Sequence, residues 1–287
     1  MAKSARLTAR PRSRSAGTWT GRLADIVRRL AADSAEHHLW TYASAISFRA
    51  LVALVPLVLL GLALLSALGL EDVWSSSVAP AVQAHVTPPV YAAINFSVEK
   101  IFSSSAADLA AFAGALLVWD MTWAVSTVME ALNEIHGVEE GRSWPRRVLV
   151  ALALAVAVIV CTVGSVLAVI LGPRPGGVLH FLFGVGRWPV AVLLLSVAVG
   201  LLVRFGPAEK PETRWASAGS LLVVGSWILA TIGFSWWVGS VANFKTAIGS
   251  LTVFLVLTAY VFTLAAIFLL GVQLDELLRK DLRGASS

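Results

Sequence analysis

The chain has 287 residues, of which 57% are hydrophobic and only 14% charged, with a mean hydropathy of +0.80. Such a composition excludes a soluble globular domain and makes the core a helix bundle packed in lipid. The net charge of +5 does not point to nucleic acid, because the basic residues are dispersed between apolar runs rather than gathered on one face.

Residues 1–18 combine Pro11, Gly17 and repeated Ser and Arg without an acid, which predicts a disordered basic tail. The first 40 residues contain no apolar core of a secretory signal. Over 19–42 the pattern changes. Trp19, Leu23, Ile26, Val27, Leu30 and Ala31 follow helical spacing, while Arg22, Asp25, Arg28, Arg29, Asp33 and Glu36 fall largely elsewhere on the wheel. This predicts an amphipathic helix lying in the membrane interface, a placement compatible with packing against cytoplasmic loops. His37 and His38 are adjacent and point to different helix faces, so they make no metal pair.

Six apolar runs follow, at 44–70, 109–131, 148–172, 184–203, 217–240 and 249–274. Each is long enough to cross ~30 Å of hydrocarbon as a helix rising ~1.5 Å per residue. The fold class is therefore all-α, with a six-helix transmembrane domain over 43–276 and a cytoplasmic tail over 277–287.

Charge orients the bundle. With the N-terminus inside, the inner segments hold Lys3, Arg6, Arg10, Arg12, Arg14, Arg22, Arg28 and Arg29, then Arg142, Arg146 and Arg147. They continue with Arg204, Lys210 and Arg214 and end with Arg279, Lys280 and Arg283. The outer loops hold Lys100, Arg174, Arg187 and Lys245. Seventeen basic residues against four give N-in, C-in topology by the positive-inside rule.

The longest outer loop, 71–108, is divided by Pro80 and Pro88–Pro89 into short helical pieces. Val90, Ile94, Val98, Ile101 and Phe102 form one apolar stripe, which predicts an amphipathic cap on the outer face. The outer loop 173–187 has Pro173, Pro175 and Gly176–Gly177 as breakers. Ala111, Ala115, Ser126, Gly219, Gly225 and Gly233 are small enough to allow close helix contact. The lone Cys161 forms no intramolecular disulfide and reads as a small apolar packing residue.

A charge inside a span is rare and costs several kcal/mol, ~2.5–3.5 on insertion scales, unless paired or hydrated. Asp120 lies near the centre of the second span and Arg49 one to two turns inside the first. The two make a candidate interhelical pair, with Glu130 as a competing partner nearer the inner interface. Pro56 interrupts the first span and removes one backbone hydrogen bond. Asn133, Gln273 and Asp275 complete the candidate polar pathway or ion-pair set, and Glu276 lies with the last two where the sixth span leaves the membrane.

No enzyme constellation is present in the sequence: there is no His-Glu-x-x-His, no phosphate-cradling glycine loop and no Cys/His metal spacing. His136, with Glu139 and Glu140, reads as a solvated charged loop. No catalytic residue, metal or cofactor is expected.

Several segments together resemble the YihY/BrkB family of bacterial inner-membrane proteins, to which the name ribonuclease BN was once wrongly attached. They are Trp40 to Phe48 with Tyr42-Ala-Ser44-Ala, Leu54-Val-Pro56-Leu57, Ala131-Leu132-Asn133 through Val138, the basic run Arg142 to Arg147, Ile248-Gly249-Ser250-Leu251 and Leu269-Leu270-Gly271-Val272-Gln273-Leu274. The resemblance covers about residues 35–280. Arg49 stands where the family usually has an aromatic or small residue, Gln273 replaces the usual Glu, and the Trp-x-Tyr of the last span is reduced to Thr258-Ala-Tyr260.

The resemblance implies a six-helix protein of the bacterial inner membrane, linked to envelope integrity, serum resistance and movement of lipid-like molecules. It also favours a bacterial basic tail over an organelle transit peptide for residues 1–24. The expectation is transport or translocation of a lipid-like or amphipathic substrate, with a non-transporting scaffold for envelope assembly as the alternative. Membrane lipids are the expected partners, homo-oligomerisation is left open, and nucleic acid is not among them.

Overall fold

The computed structural model describes residues 19–85, 88–170, 178–209, 218–241 and 247–286, and among them every regular element is helical. The basic tail 1–18 and the breakers Pro173 to Gly177 lie outside the described residues.

Helix α1 (Trp19–Glu36) stops at a turn over His37 and His38, where His38 takes the left-handed conformation (φ 51°, ψ 33°), and α2 (Leu39–Ala67) begins at once. The amphipathic segment is thus split at its histidines, and Leu39 to Tyr42 belong to α2. That helix continues through Pro56, whose ring is buried.

The 71–108 loop is helical, as its prolines suggest. A π-helical turn (Trp74–Val78) leads into α3 (Ala79–His85) and α4 (Pro88–Phe102). Pro88 and Pro89 open α4, where a missing N–H removes no helical bond, whereas Pro80 sits where the π-helical turn passes into α3. Trp74, Ala79 and Val98 pack with Leu62 of α2, flanked by Ile94, Ile101 and Phe102, so the stripe faces the bundle. Val90 is the member left exposed.

Helix α5 (Ala106–His136) is capped by Ser105 at its start and by Gly137 at its end. Gly137 is left-handed (φ 63°); its N–H donates to Glu134 O at 3.1 Å and that of Val138 to Asn133 O at 3.0 Å, a Schellman closure. Placing a Cβ there with Gly137→Ala is expected to lower stability by about 1 kcal/mol, measured as thermal unfolding in detergent beside the unmodified chain.

The remaining helices are α6 (Trp144–Ile170), α7 (Val178–Phe205), α8 (Ala218–Val241) and α9 (Ala247–Ser286). Helix α7 already includes Arg187, which the sequence places in a loop. Its Nη1 donates to Val169 O at 3.4 Å, a carbonyl left over near the end of α6.

Among the described residues, five helices are long and apolar enough to cross a membrane: α2, α5, α6, α7 over Gly186–Phe205 and α9 over Phe254–Asp281. Helix α8 supplies a shorter apolar run, Val223–Val238. At 40 residues α9 is ~60 Å long, about twice the hydrocarbon thickness. The segment from 277 that reads as a tail therefore continues the helix to Ser286, and α1 packs along this extension, with Arg29 to Asp281 at 3.3 Å.

The helices alternate in direction. Leu39 begins α2, Ile135 closes α5, Val199 lies near the end of α7, Val223 near the start of α8, and Val272 well along α9; all five join one buried cluster. Helix α2 packs most extensively on α5, the hairpins α5–α6 and α6–α7 follow, and α9 closes against α2 and α8. Most of the described charged side chains sit beside this cluster, hereafter the charged end.

The small residues do not all sit at interfaces. Ala111, Ala115, Gly225 and Gly233 are exposed, and a Cβ at either glycine would meet nothing within 4 Å. They face outward, where smallness brings no neighbour closer. Ser126 is buried, and Gly164 of α6 faces α7, where an added Cβ would stand in ordinary contact with Leu194, 3.5 Å away. The surroundings of Gly219 lie outside those described.

Candidate functional site

The α5–α6 hairpin folds back over the 137–143 turn, which brings Glu130 level with Arg147, and the two form an ion pair. Arg49 approaches from α2. Together with Trp123, Ser126, Thr127, Trp144 and Val148 these residues line a cleft of about 270 Å³ at the charged end. The hydroxyls of Ser126 and Thr127 donate to carbonyls one turn back, Thr122 O at 2.9 Å and Trp123 O at 3.1 Å.

Arg49 thus shares a cleft with Glu130, but Glu130 pairs with Arg147, and no carboxylate of the described residues lies within ion-pair distance of Arg49. Asp120 is ten residues from Glu130 on α5, ~15 Å along the helix axis, and does not line the cleft. It is half-buried and forms no ion pair with Arg49. Pro56 is likewise apart from the cleft, in the packed interior of α2.

Asn133 and Gln273 anchor a second polar assembly. Asn133 Nδ2 donates to Glu140 Oε2 at 3.0 Å, and its Oδ1 accepts from the Ala208 N–H at 2.7 Å, so one buried amide ties the α5–α6 turn to the segment after α7. Arg142 completes that tie by donating to Gly206 O at 3.2 Å and to Pro207 O. Gln273, 0% exposed, meets His37 Nδ1 at 3.0 Å and donates to Asp33 Oδ2 at 3.4 Å, pinning α1 to α9. Asp275 lies half-buried beside this assembly in sequence and lines neither cavity described here.

His136 departs from its expected solvation. Its side chain is only 7% exposed, with Nδ1 2.7 Å from Leu132 O and Nε2 3.9 Å from Glu276. Glu276 is itself 2% exposed and bonded to Arg279 at 2.8 and 2.7 Å, with Lys280 Nζ at 3.8 Å. The extension of α9 covers the end of α5, which buries a histidine that the local sequence leaves at the edge of a loop.

A third feature lies deeper. An apolar groove of about 650 Å³ runs between α6, α7, α8 and α9, lined by residues including Val166, Trp188, Ala191, Val192, Val224, Ile228 and Ile232. Its polar groups are few. Trp227 Nε1 donates to Leu264 O at 2.9 Å, and Thr231 Oγ1 lies 2.7 Å from Trp227 O and 2.8 Å from Tyr260 Oη.

Trp123, Thr127, Trp144, Arg147 and Val148 are the cleft residues that the sequence does not single out as site candidates. Arg147 is legible only as one of the charges that set topology, although its symmetry with Glu130 about the 137–143 turn was available as a signal.

Long apolar helices in alternating directions, with polar groups concentrated at one end, define a multi-pass integral membrane protein. This chain belongs to the BrkB family: the family model described as "Virulence factor BrkB" matches residues 30–286. It is similar to the ribonuclease-like protein YfkH of Bacillus subtilis, 24% identical over 173 residues, covering 57% of this chain and 63% of that one. A UPF0761 membrane protein of Stenotrophomonas maltophilia is 26% identical over 251 residues, 84% of this chain and 58% of that protein. One of Chromobacterium violaceum is 24% identical over 230 residues, 79% and 55% of the two chains. The chain spans less than two thirds of the length of these relatives. No solved structure matches it. The family resemblance carried by the motifs from Trp40 to Leu274 is borne out.

Proposed function

We propose that this protein moves a lipid-like, amphipathic substrate between the leaflets of the bacterial inner membrane, as a six-span bundle with both ends inside. The groove between α6–α7 and α8–α9 carries the reading. A void in lipid forfeits dispersion contacts along its walls, so a groove of this size at membrane depth is occupied by hydrocarbon. An acyl chain is the hydrocarbon at hand.

The groove also has a polar edge. With Thr231 donating to Trp227 O, Tyr260 donates to Thr231, and both oxygens keep acceptor capacity along the groove wall. This combination suits a molecule with an apolar tail and a polar part better than it suits a purely apolar one. The excess of basic residues on one set of loops supports the orientation, and α8 serves as the sixth span. Among the described residues no group of His, Cys, Asp and Glu could hold a metal ion. The name YfkH carries refers to that protein, and nothing in the cleft or groove supplies nuclease chemistry.

Filling the groove tests the proposal. Ile228→Trp and Val192→Trp each add bulk to its wall, and both variants are expected to slow transbilayer exchange of a fluorescent phospholipid in proteoliposomes toward the rate of empty vesicles. Unmodified protein that exchanges lipid no faster than empty vesicles would overturn translocation and leave the scaffold reading.

A further inference from the structure

The structure assigns a second ligand site to the cleft between α2, α5 and α6: we propose that it binds the singly charged phosphodiester of a membrane lipid headgroup, with Arg49 as the recognising cation. The site is distinct from the apolar groove and stands without the translocation reading, since a lipid held here need not cross the bilayer.

Charge is the first reason. The cleft contains two guanidinium groups and one carboxylate, and the carboxylate of Glu130 is engaged by Arg147. Arg49 is left half-buried inside an apolar helix without a carboxylate in ion-pair range among the described residues. An unneutralised cation at that depth is costly, and one negative charge removes the imbalance. A phosphodiester carries one. Guanidinium also matches phosphate oxygens in a planar, two-pronged geometry that ammonium lacks.

The lining is the second reason. Trp123 and Trp144 flank the charges, 40% and 71% exposed, as indoles do at a membrane–water boundary. Their N–H groups make no hydrogen bond to another described residue, so both remain donors for an anion. The volume of about 270 Å³ equals the liquid share of several waters at ~30 Å³ each, enough for a phosphate group with its first waters. The cleft lies near the charged end of α5 and α6, where headgroups meet the bundle, so a lipid reaches it laterally.

Native mass spectrometry of the delipidated full-length chain tests this with four probes: phosphatidylglycerol, phosphatidylcholine, diacylglycerol and inorganic phosphate. Both phospholipids are expected to bind, and diacylglycerol, which lacks the phosphate, is not. Arg49→Gln is expected to weaken phosphatidylglycerol at least about tenfold, the loss of one charge-assisted hydrogen bond, while Arg49→Lys loses less. Arg146→Gln makes the same charge change on an exposed residue that does not line the cleft and is expected to bind normally. Circular dichroism establishes that each variant is folded.

Inorganic phosphate that binds at millimolar concentration and is lost in Arg49→Gln, with no phospholipid binding, would overturn the lipid assignment in favour of a soluble anion. Equal binding by Arg49→Gln and the unmodified chain would overturn the site. Equal losses in Arg49→Gln and Arg146→Gln would overturn it as well, by reducing the effect to overall charge.

Discussion

Replacing Arg279 by alanine is expected to destabilise the protein by about 3 kcal/mol, a loss on the scale of truncating a buried leucine at the same end. The reason lies in its partner. Glu276 has a side chain 2% exposed and receives two hydrogen bonds from the Arg279 guanidinium, at 2.8 and 2.7 Å. Without Arg279 the carboxylate is stranded among the ends of α5 and α9, with Lys280 Nζ at 3.8 Å and His136 Nε2 at 3.9 Å beside it. Lys280 is mostly exposed and keeps part of its hydration, so it neutralises the carboxylate only in part; this places the loss at the lower end of the range for a broken buried pair. Glu276→Gln strands no buried charge and is expected to cost less. Thermal unfolding in detergent distinguishes the two variants. Arg279→Ala unfolding together with the unmodified chain would show that the carboxylate is hydrated rather than held.

This cluster also shows where sequence stops being informative. The apolar runs are legible because hydrocarbon imposes a composition on every residue it touches, and the five long helices lie where those runs lie. The extension of α9 is not legible in that way. Leu277 and Leu278 stand beside Arg279, Lys280 and Asp281, a mixture that reads equally as a solvated tail. It is helical here with α1 lying along it, joined by Arg29 to Asp281 at 3.3 Å and, just before the extension begins, by Asp33 to Gln273, contacts that span 252 and 240 residues. The burial of His136 depends on the same long-range event.

The polar site divides similarly. Arg49, Asp120 and Glu130 stand out in sequence because charges in apolar runs do, but which of them meet depends on helix order and height. Adjacent helices in a hairpin equalise height about their turn, so Glu130 finds Arg147 across the 137–143 segment. Asp120 is left ~15 Å farther along the same helix. The apolar groove has no local signature at all. Val192 and Ile228 look like any lipid-facing residue, and only the divergence of α7 from α8 makes them walls.

Asn133→Leu is expected to lower stability by about 2 kcal/mol although it preserves side-chain size and adds apolar surface. Asn133 lies buried in the last turn of α5, and its amide faces two segments at once. Its carbonyl oxygen takes the Ala208 N–H at 2.7 Å, and its amino group reaches Glu140 at 3.0 Å. Leucine satisfies neither. The Ala208 N–H loses its partner in a partly buried place, which costs about 1–3 kcal/mol in such settings. Glu140 fares better, because Arg142 remains 3.7 Å away and shares the load. The damage should be local as well as global. Arg142 also holds Gly206 and Pro207, so the segment after α7 keeps one of its two fastenings and should open without unfolding the bundle. Hydrogen exchange is therefore expected to accelerate over residues 206–209 and 138–142 in Asn133→Leu, with the centres of α5 and α6 unchanged. Acceleration spread evenly over α5 and α6 would mean instead that Asn133 stabilises the hairpin as a whole, and that the loop tie is incidental to it.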